Sequence, residues 1–212
     1  IPTVTQNGST VFRIYWDNDA ATDSSADSLV FDTADGFEGV WHLNEDVSGT
    51  ANTDAYKDRT SNRNHGDDYV GNSSVTGMIG KGADFDGSND YINVPDHATI
   101  DFGDEDFTIS FWHLSAAADW AKHGGIFDKS VGQHDTGYEF YDEKTAATAN
   151  YNGFKMYDGS NGEKININDS YFDSDWHLYT IVRDASANDL YIYFDNAATA
   201  GSNTSTSATD IS

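Results

Sequence analysis

Oxygen-bearing side chains crowd two short stretches of this sequence, and binding a hard cation is the chemistry that suits them. Asp58, Asn62, Asn64 and Asp67 lie within one stretch; Asp86 and Asp90 flank Gly87, Ser88 and Asn89 in the other. Calcium takes about six to eight oxygens from carboxylates, amides and main-chain carbonyls. These six residues are therefore the candidate metal ligands, and one bound Ca2+ is the expectation. No EF-hand spacing is present. The competing account is local, since Asn and Asp side chains accept hydrogen bonds from nearby backbone and cap their own turns.

A second chemistry is sugar contact, which uses aromatic rings with polar neighbours. Trp120, Tyr151, Tyr157 and Tyr171 are the candidates; the alternative for each is packing beneath a long loop. Glycoside hydrolysis needs two carboxylates roughly 5 to 9.5 Å apart across the bond. Glu139, Asp142 and Glu143 come nearest to such an array, but they switch faces and run toward a turn. Catalysis is not expected. The sequence has no Gly-x-Ser-x-Gly elbow. The histidines at 42, 65, 97, 113, 123, 134 and 177 are scattered, without the helical spacing of a zinc site. There is no cysteine, which excludes disulfides and thiolate chemistry.

Charge narrows the partners. The 212 residues carry 11 Lys plus Arg against 36 Asp plus Glu, a formal net charge of −25. No basic stripe is available to replace counterions, so nucleic acid and anionic membrane surfaces are not expected partners. No apolar run approaches the ~18 residues that a spanning helix needs, so direct membrane insertion is not expected.

The elements that must position these residues are strands. Phe107, Ile109 and Phe111 alternate with Thr108, Ser110 and Trp112; Ile165-Asn166-Ile167-Asn168 alternates in the same way. Gly137–Tyr141, Gly153–Tyr157, Trp176–Val182 and Leu190–Phe194 read as further strands between Asn, Asp and Gly turns. Gly80–Val94 reads as strand, tight turn, strand around Asp86–Asp90. Thr10–Trp16 is a strand candidate with Phe12, Ile14 and Trp16 on one face, and 116–123 suits a single helical turn. Many short alternating strands predict an all-β fold of two packed antiparallel sheets. Phe85, Ile92, Phe107, Ile109, Phe111, Ile181 and Ile192 are the predicted core.

Taken in order, Gly80–Val94, Phe107–Trp112, Gly125–Lys129, Asp175–Val182 and Leu190–Asp195 resemble a laminin-G-like, concanavalin A-like jelly-roll domain. The resemblance runs from about Gly39 to the end of the chain. Asp58, Thr60, Asn62, Asn64 and Gly66 look similar to an Asp-x-Ser/Thr-x-Asn-x-Asn-x-Gly loop of that family, and His113 stands where the family carries an apolar residue. The resemblance implies a two-sheet jelly-roll sandwich over 36–212 with calcium near its rim. Residues 1–35 resemble the end of a small uncharacterised β-module of surface proteins, giving a short β segment before the sandwich. The implied function is a non-catalytic extracellular or cell-surface domain of a large prokaryotic protein, for adhesion or carbohydrate binding. Its partners would be a polysaccharide or glycan, or neighbouring subunits of a surface assembly. Alternatives are a structural building block of a surface layer or filament, and a glycoside hydrolase of the same fold. The polar stretch 200–212 reads as a connector, so the sequence is expected to be an internal piece of a longer chain, its sandwich lacking the final strands.

Overall fold

A computed structural model describes residues 27–47, 51–115, 124–131, 136–144, 150–160, 162–168, 173–195 and 197–199. A single helical turn, α1 (Asp27–Val30), and a 3-10 turn at Thr33–Asp35 come first. Four short strands follow: β1 (Asp67–Tyr69), β2 (Asn72–Thr76), β3 (Lys81–Asp84) and β4 (Tyr91–Asn93). The longer strands are β5 (Phe107–Leu114), β6 (Gly124–Val131), β7 (Thr136–Lys144), β8 (Asn150–Asp158) and β9 (Gly162–Asn168). They are followed by β10 (Trp176–Asp184), β11 (Asp189–Phe194) and β12 (Ala197–Thr199).

Two antiparallel four-stranded sheets form the body, in the orders β12-β11-β10-β5 and β6-β7-β8-β9. Period-two alternation sends one set of side chains from each sheet into a shared core. Phe107, Tyr179, Ile181, Leu190, Ile192 and Phe194 come from the first sheet; Tyr138, Phe140, Phe154, Met156, Ile165 and Ile167 come from the second. Ring contacts lock the sheets face to face. Phe111 meets Phe140 at 5.1 Å and Phe127 at 5.5 Å, both edge-on, and stacks on Tyr179 within its own sheet at 5.4 Å. This is the all-β sandwich that the alternation predicts. Phe107, Ile181 and Ile192 are buried, while Ile92, Ile109 and Phe111 are half-buried.

Two expectations need correction. Gly80–Val94 is not a hairpin: β3 pairs with β2 and β4 pairs with β1. The Asp86–Asp90 turn is real, with Asp86 Oδ1 accepting the Ser88 and Asn89 N–H groups. Asp90, however, accepts the Gly71 N–H on one oxygen and the Asp86 N–H on the other. That clamp ties the turn to the β1–β2 corner, so the flanking strands part to separate partners. Phe85 consequently leaves the core and is 47% exposed. The Thr10–Trp16 strand, the 116–123 turn and the 200–212 stretch lie outside the described residues. Among the described residues, no helix is long and apolar enough to cross a membrane.

Candidate functional site

The outward face of the β6–β9 sheet brings charged, amide and aromatic side chains together. Register aligns Asp128, Glu139, Lys155 and Lys164 in one row across four strands, and Tyr141, Gly153 and Asn166 in a second. A third row holds Gly137, Tyr157 and Gly162. The two glycines beside the tyrosines are required by close approach. A Cβ on Gly153 would stand 2.6 Å from the Tyr141 ring, and one on Gly162 would stand 2.3 Å from the Tyr157 ring. Both rings therefore lie across glycine backbone, and the Tyr141 hydroxyl donates to Asn166 Oδ1 at 3.1 Å.

Between these rings Lys155 forms an ion pair with Glu139, whose residue is only 5% exposed. The Lys155 ammonium sits 5.0 Å from the Tyr141 ring centre and 5.9 Å from that of Tyr157, within cation–π range. Ser130, Glu139, Lys155 and Tyr157 border a shallow dent that encloses no room for a water molecule. Tyr141 and Glu139 are buried and the Lys155 side chain is only 12% exposed, so the half-buried Tyr157 ring beside that ion pair is what this face presents to a polyhydroxylated ligand. Tyr157 is thus the one sugar-contact candidate whose side chain is placed. Tyr151 lies in β8 with its side chain outside the description, and Trp120 and Tyr171 lie outside the described residues. Sequence reading considered Glu139 only among its near carboxylates and passed over Lys155, because the cross-strand register that joins them is not written in either segment.

The six predicted cation ligands fall into separate arrangements. Asp58 is buried, and its two oxygens accept four hydrogen bonds: Val40 N–H, Thr60 N–H, Thr60 O–H and Asn64 N–H, at 2.9 to 3.0 Å. Asn64 donates its amide to Thr99 Oγ1, and Asn62 donates to the Glu38 carbonyl and carboxylate. Asp67 accepts the Asp54 N–H at the edge of β1. Asp86 and Asp90 clamp the separate turn described above. A calcium ion needs converging, uncommitted oxygens, and this set does not fit one: Asp58 is filled by protein donors and the rest point to different partners. Among the described residues, no group of three or more His, Asp or Glu could hold a metal. The Asp58 loop is instead a brace. The Asp58 N–H donates to His65 Nδ1, and the Trp41 indole donates to the Asn64 carbonyl. Arg59 reaches both Asp27 and Glu45. Tyr56 and Asp68 are wholly buried beside this loop; burial first, then the Asp68 charge, holds the Tyr56 phenol far above its ordinary range.

A third cluster sits where β5 and β10 pair. His113 and His177 are directly opposed. His177 Nδ1 lies 2.7 Å from Asp195 Oδ2, and Nε2 lies 3.1 Å from Asp173 Oδ1. Carboxylates only accept, so a carboxylate at each nitrogen favours the imidazolium form of the ring. Burial pulls its pKa down, but the bonds to Asp195 and Asp173 outweigh that and raise it. His113 turns inward toward Tyr179, and burial, then the charge of His177, pushes it down to about 4. His177 ties the segment before β10 and the turn after β11 to one strand. The Leu178 N–H, donated to Asp195 Oδ1, completes the tie.

A search among curated proteins and a search among solved structures each return no significant match. A laminin-G-type family model described as the concanavalin A-like lectin/glucanases superfamily matches residues 86–212, more than half of the chain and all of both large sheets. The chain therefore belongs to the concanavalin A-like lectin/glucanases superfamily, as a laminin-G-like all-β domain.

Proposed function

We propose that this domain is a non-catalytic recognition module of a cell-surface or secreted protein, making adhesive contact with glycans. The observation that carries the reading is the outward face of the β6–β9 sheet, where the Tyr157 ring packs against Gly162 beside the Lys155–Glu139 pair. A pyranose ring has an apolar C–H face that packs on an aromatic ring, with hydroxyls at its rim for charged and amide groups. The same face speaks against hydrolysis. A glycosidase needs a proton-donating acid and a free carboxylate flanking the bond, whereas Glu139 is committed to Lys155. The strongly acidic surface favours neutral glycans over anionic ones, since an anion must approach against a net charge of −25.

A glycan array probed with the wild-type domain and with Tyr157→Ala and Lys155→Met tests this reading. Binding of a defined glycan that both substitutions weaken, without release of reducing ends over long incubation, is the expected result. Binding indifferent to both substitutions, or steady turnover of the bound glycan, overturns it.

A further inference from the structure

At the end of the β5–β10 ladder one side chain holds two segments that belong to neither strand. His177 Nε2 lies 3.1 Å from Oδ1 of Asp173, before β10, and Nδ1 lies 2.7 Å from Oδ2 of Asp195, in the turn after β11. Each segment contains a residue in the left-handed region that L-residues seldom adopt: Ser174 has a φ of 72° and Asp195 a φ of 45°. Such conformations persist where surrounding contacts enforce them. The two sets of contacts are unequal. Asp195 Oδ1 also accepts the Leu178 N–H at 2.9 Å, and the Asp195 N–H donates to the Leu178 carbonyl at 3.0 Å. Asp173 Oδ1 also accepts the Asp175 N–H, but that bond stays within its own segment. The same segment reaches the end of β5 through the Ser174 N–H, which donates to the Ser115 carbonyl at 3.2 Å.

A proton count decides how many carboxylates the ring can hold. An imidazolium donates at both nitrogens, whereas a neutral imidazole donates at one and presents a lone pair at the other. A lone pair facing a carboxylate repels it. The other groups around the ring are His113, which opposes it from β5 and is held neutral by burial, and the Phe194 ring at 4.5 Å. Tyr179, the next inward residue of β10, gives its hydroxyl to Asn152 Oδ1, and β12 carries no titratable residue. We infer that His177 is a proton-operated latch: the imidazolium holds Asp173 and Asp195 together, and the neutral ring keeps Asp195 and releases Asp173, loosening Asp173–Asp175 from the end of β5. Asp195 is the arm retained because Leu178 fixes it through two further bonds. Burial pulls the pKa of the ring down, but the bonds to Asp195 and Asp173 raise it overall, so release falls on the alkaline side of the ordinary 6.5. The latch makes no use of the β6–β9 face and stands apart from the glycan reading.

Nuclear magnetic resonance between pH 6 and pH 9 tests it, on wild type and on Asp173→Asn. The imidazole 15N shifts report the charge and tautomer of His177. Solvent exchange of the Ser174 and Leu178 amides, corrected for the intrinsic rate, reports which arm opens. In wild type His177 should titrate above 6.5 and end protonated at Nδ1. Corrected exchange at Ser174 should rise about tenfold through the same midpoint, as loss of one hydrogen bond to a charged group at a half-exposed site gives, while Leu178 stays protected. Asp173→Asn removes the release without removing the contact, since an amide can accept from an N–H and donate to a lone pair; its Ser174 exchange should be independent of pH. Titration of His177 below 6.5, Ser174 exchange that ignores the titration, or an undiminished pH dependence in Asp173→Asn overturns the inference. So does a neutral ring protonated at Nε2 with Leu178 opening in place of Ser174.

Discussion

His113→Leu should remove about 2 kcal/mol of the stability that the domain loses on acidification. The side chain turns inward beside Tyr179 and directly opposes His177 across β5 and β10. Burial and the His177 charge push its pKa to about 4 from the ordinary 6.5. The sign follows from proton binding. Below pH 6.5 the unfolded chain protonates position 113 while the folded chain resists, so folding loses stability as pH falls from about 6.5 toward 4. The limit is on the order of 3 kcal/mol at 1.36 kcal/mol per pH unit; partial solvent access to the site reduces this to about 2 kcal/mol. Leucine carries no proton and suits the apolar neighbours. Urea unfolding of both proteins at pH 7.5 and pH 4.5 gives the comparison. At pH 7.5 the two should differ by less than about 1.5 kcal/mol, as similar-volume core exchanges do. At pH 4.5 the variant should gain about 2 kcal/mol relative to wild type. Parallel losses on acidification, within about 0.5 kcal/mol, would refute a buried neutral histidine at this position.

His177 behaves oppositely: its folded pKa is raised, so its contribution is fully present below about pH 6.5 and fades as pH climbs through the raised value. The stability gap between wild type and His177→Gln should therefore be wider at pH 6 than at pH 9, and an equal gap contradicts the imidazolium bridge. Phe111→Ala should cost about 3 kcal/mol, the low end for a truncated aromatic because the ring is half-buried, whereas Phe85→Ala at its exposed site should cost under about 1 kcal/mol. Equal costs in urea unfolding would show the inward register of β5 to be wrong. Asp58→Ala leaves four donors of the brace without their acceptor and should cost at least about 2 kcal/mol; a near-neutral effect would mean the loop is held by other contacts. Since those donors fill Asp58, the cost of Asp58→Ala should be the same in excess chelator and in millimolar calcium; a larger cost in calcium would show that Asp58 ligates the ion.

What the sequence made legible follows the range of each interaction. Alternation is local and burial enforces it, so the strands at Phe107–Leu114, Gly137–Tyr141, Gly153–Tyr157, Trp176–Val182 and Leu190–Phe194 could be read from single segments. Phe85 failed because local pattern names a strand but not its partner. The two Asp90 oxygens, one to Gly71 and one to Asp86, redirect that stretch through a contact 19 residues away. The oxygen-rich loop was equally ambiguous: Asp58 has the composition of a metal ligand, and only the arrival of Val40, Thr60 and Asn64 donors shows where its lone pairs go.

The two faces make the same point about function. Lys155 carries no motif, yet register sets it against Glu139 and between two tyrosines laid over glycines. Trp112, Leu178 and Tyr193 are unremarkable in their own strands and become a surface only when β5, β10 and β11 align them. Each strand hides half of its side chains in the core, and that half dictates the fold. The outward half is free of that demand, which is why one sheet can hold a buried ion pair there while the other carries uncharged side chains until Asp184 and Asp189 at the hairpin end.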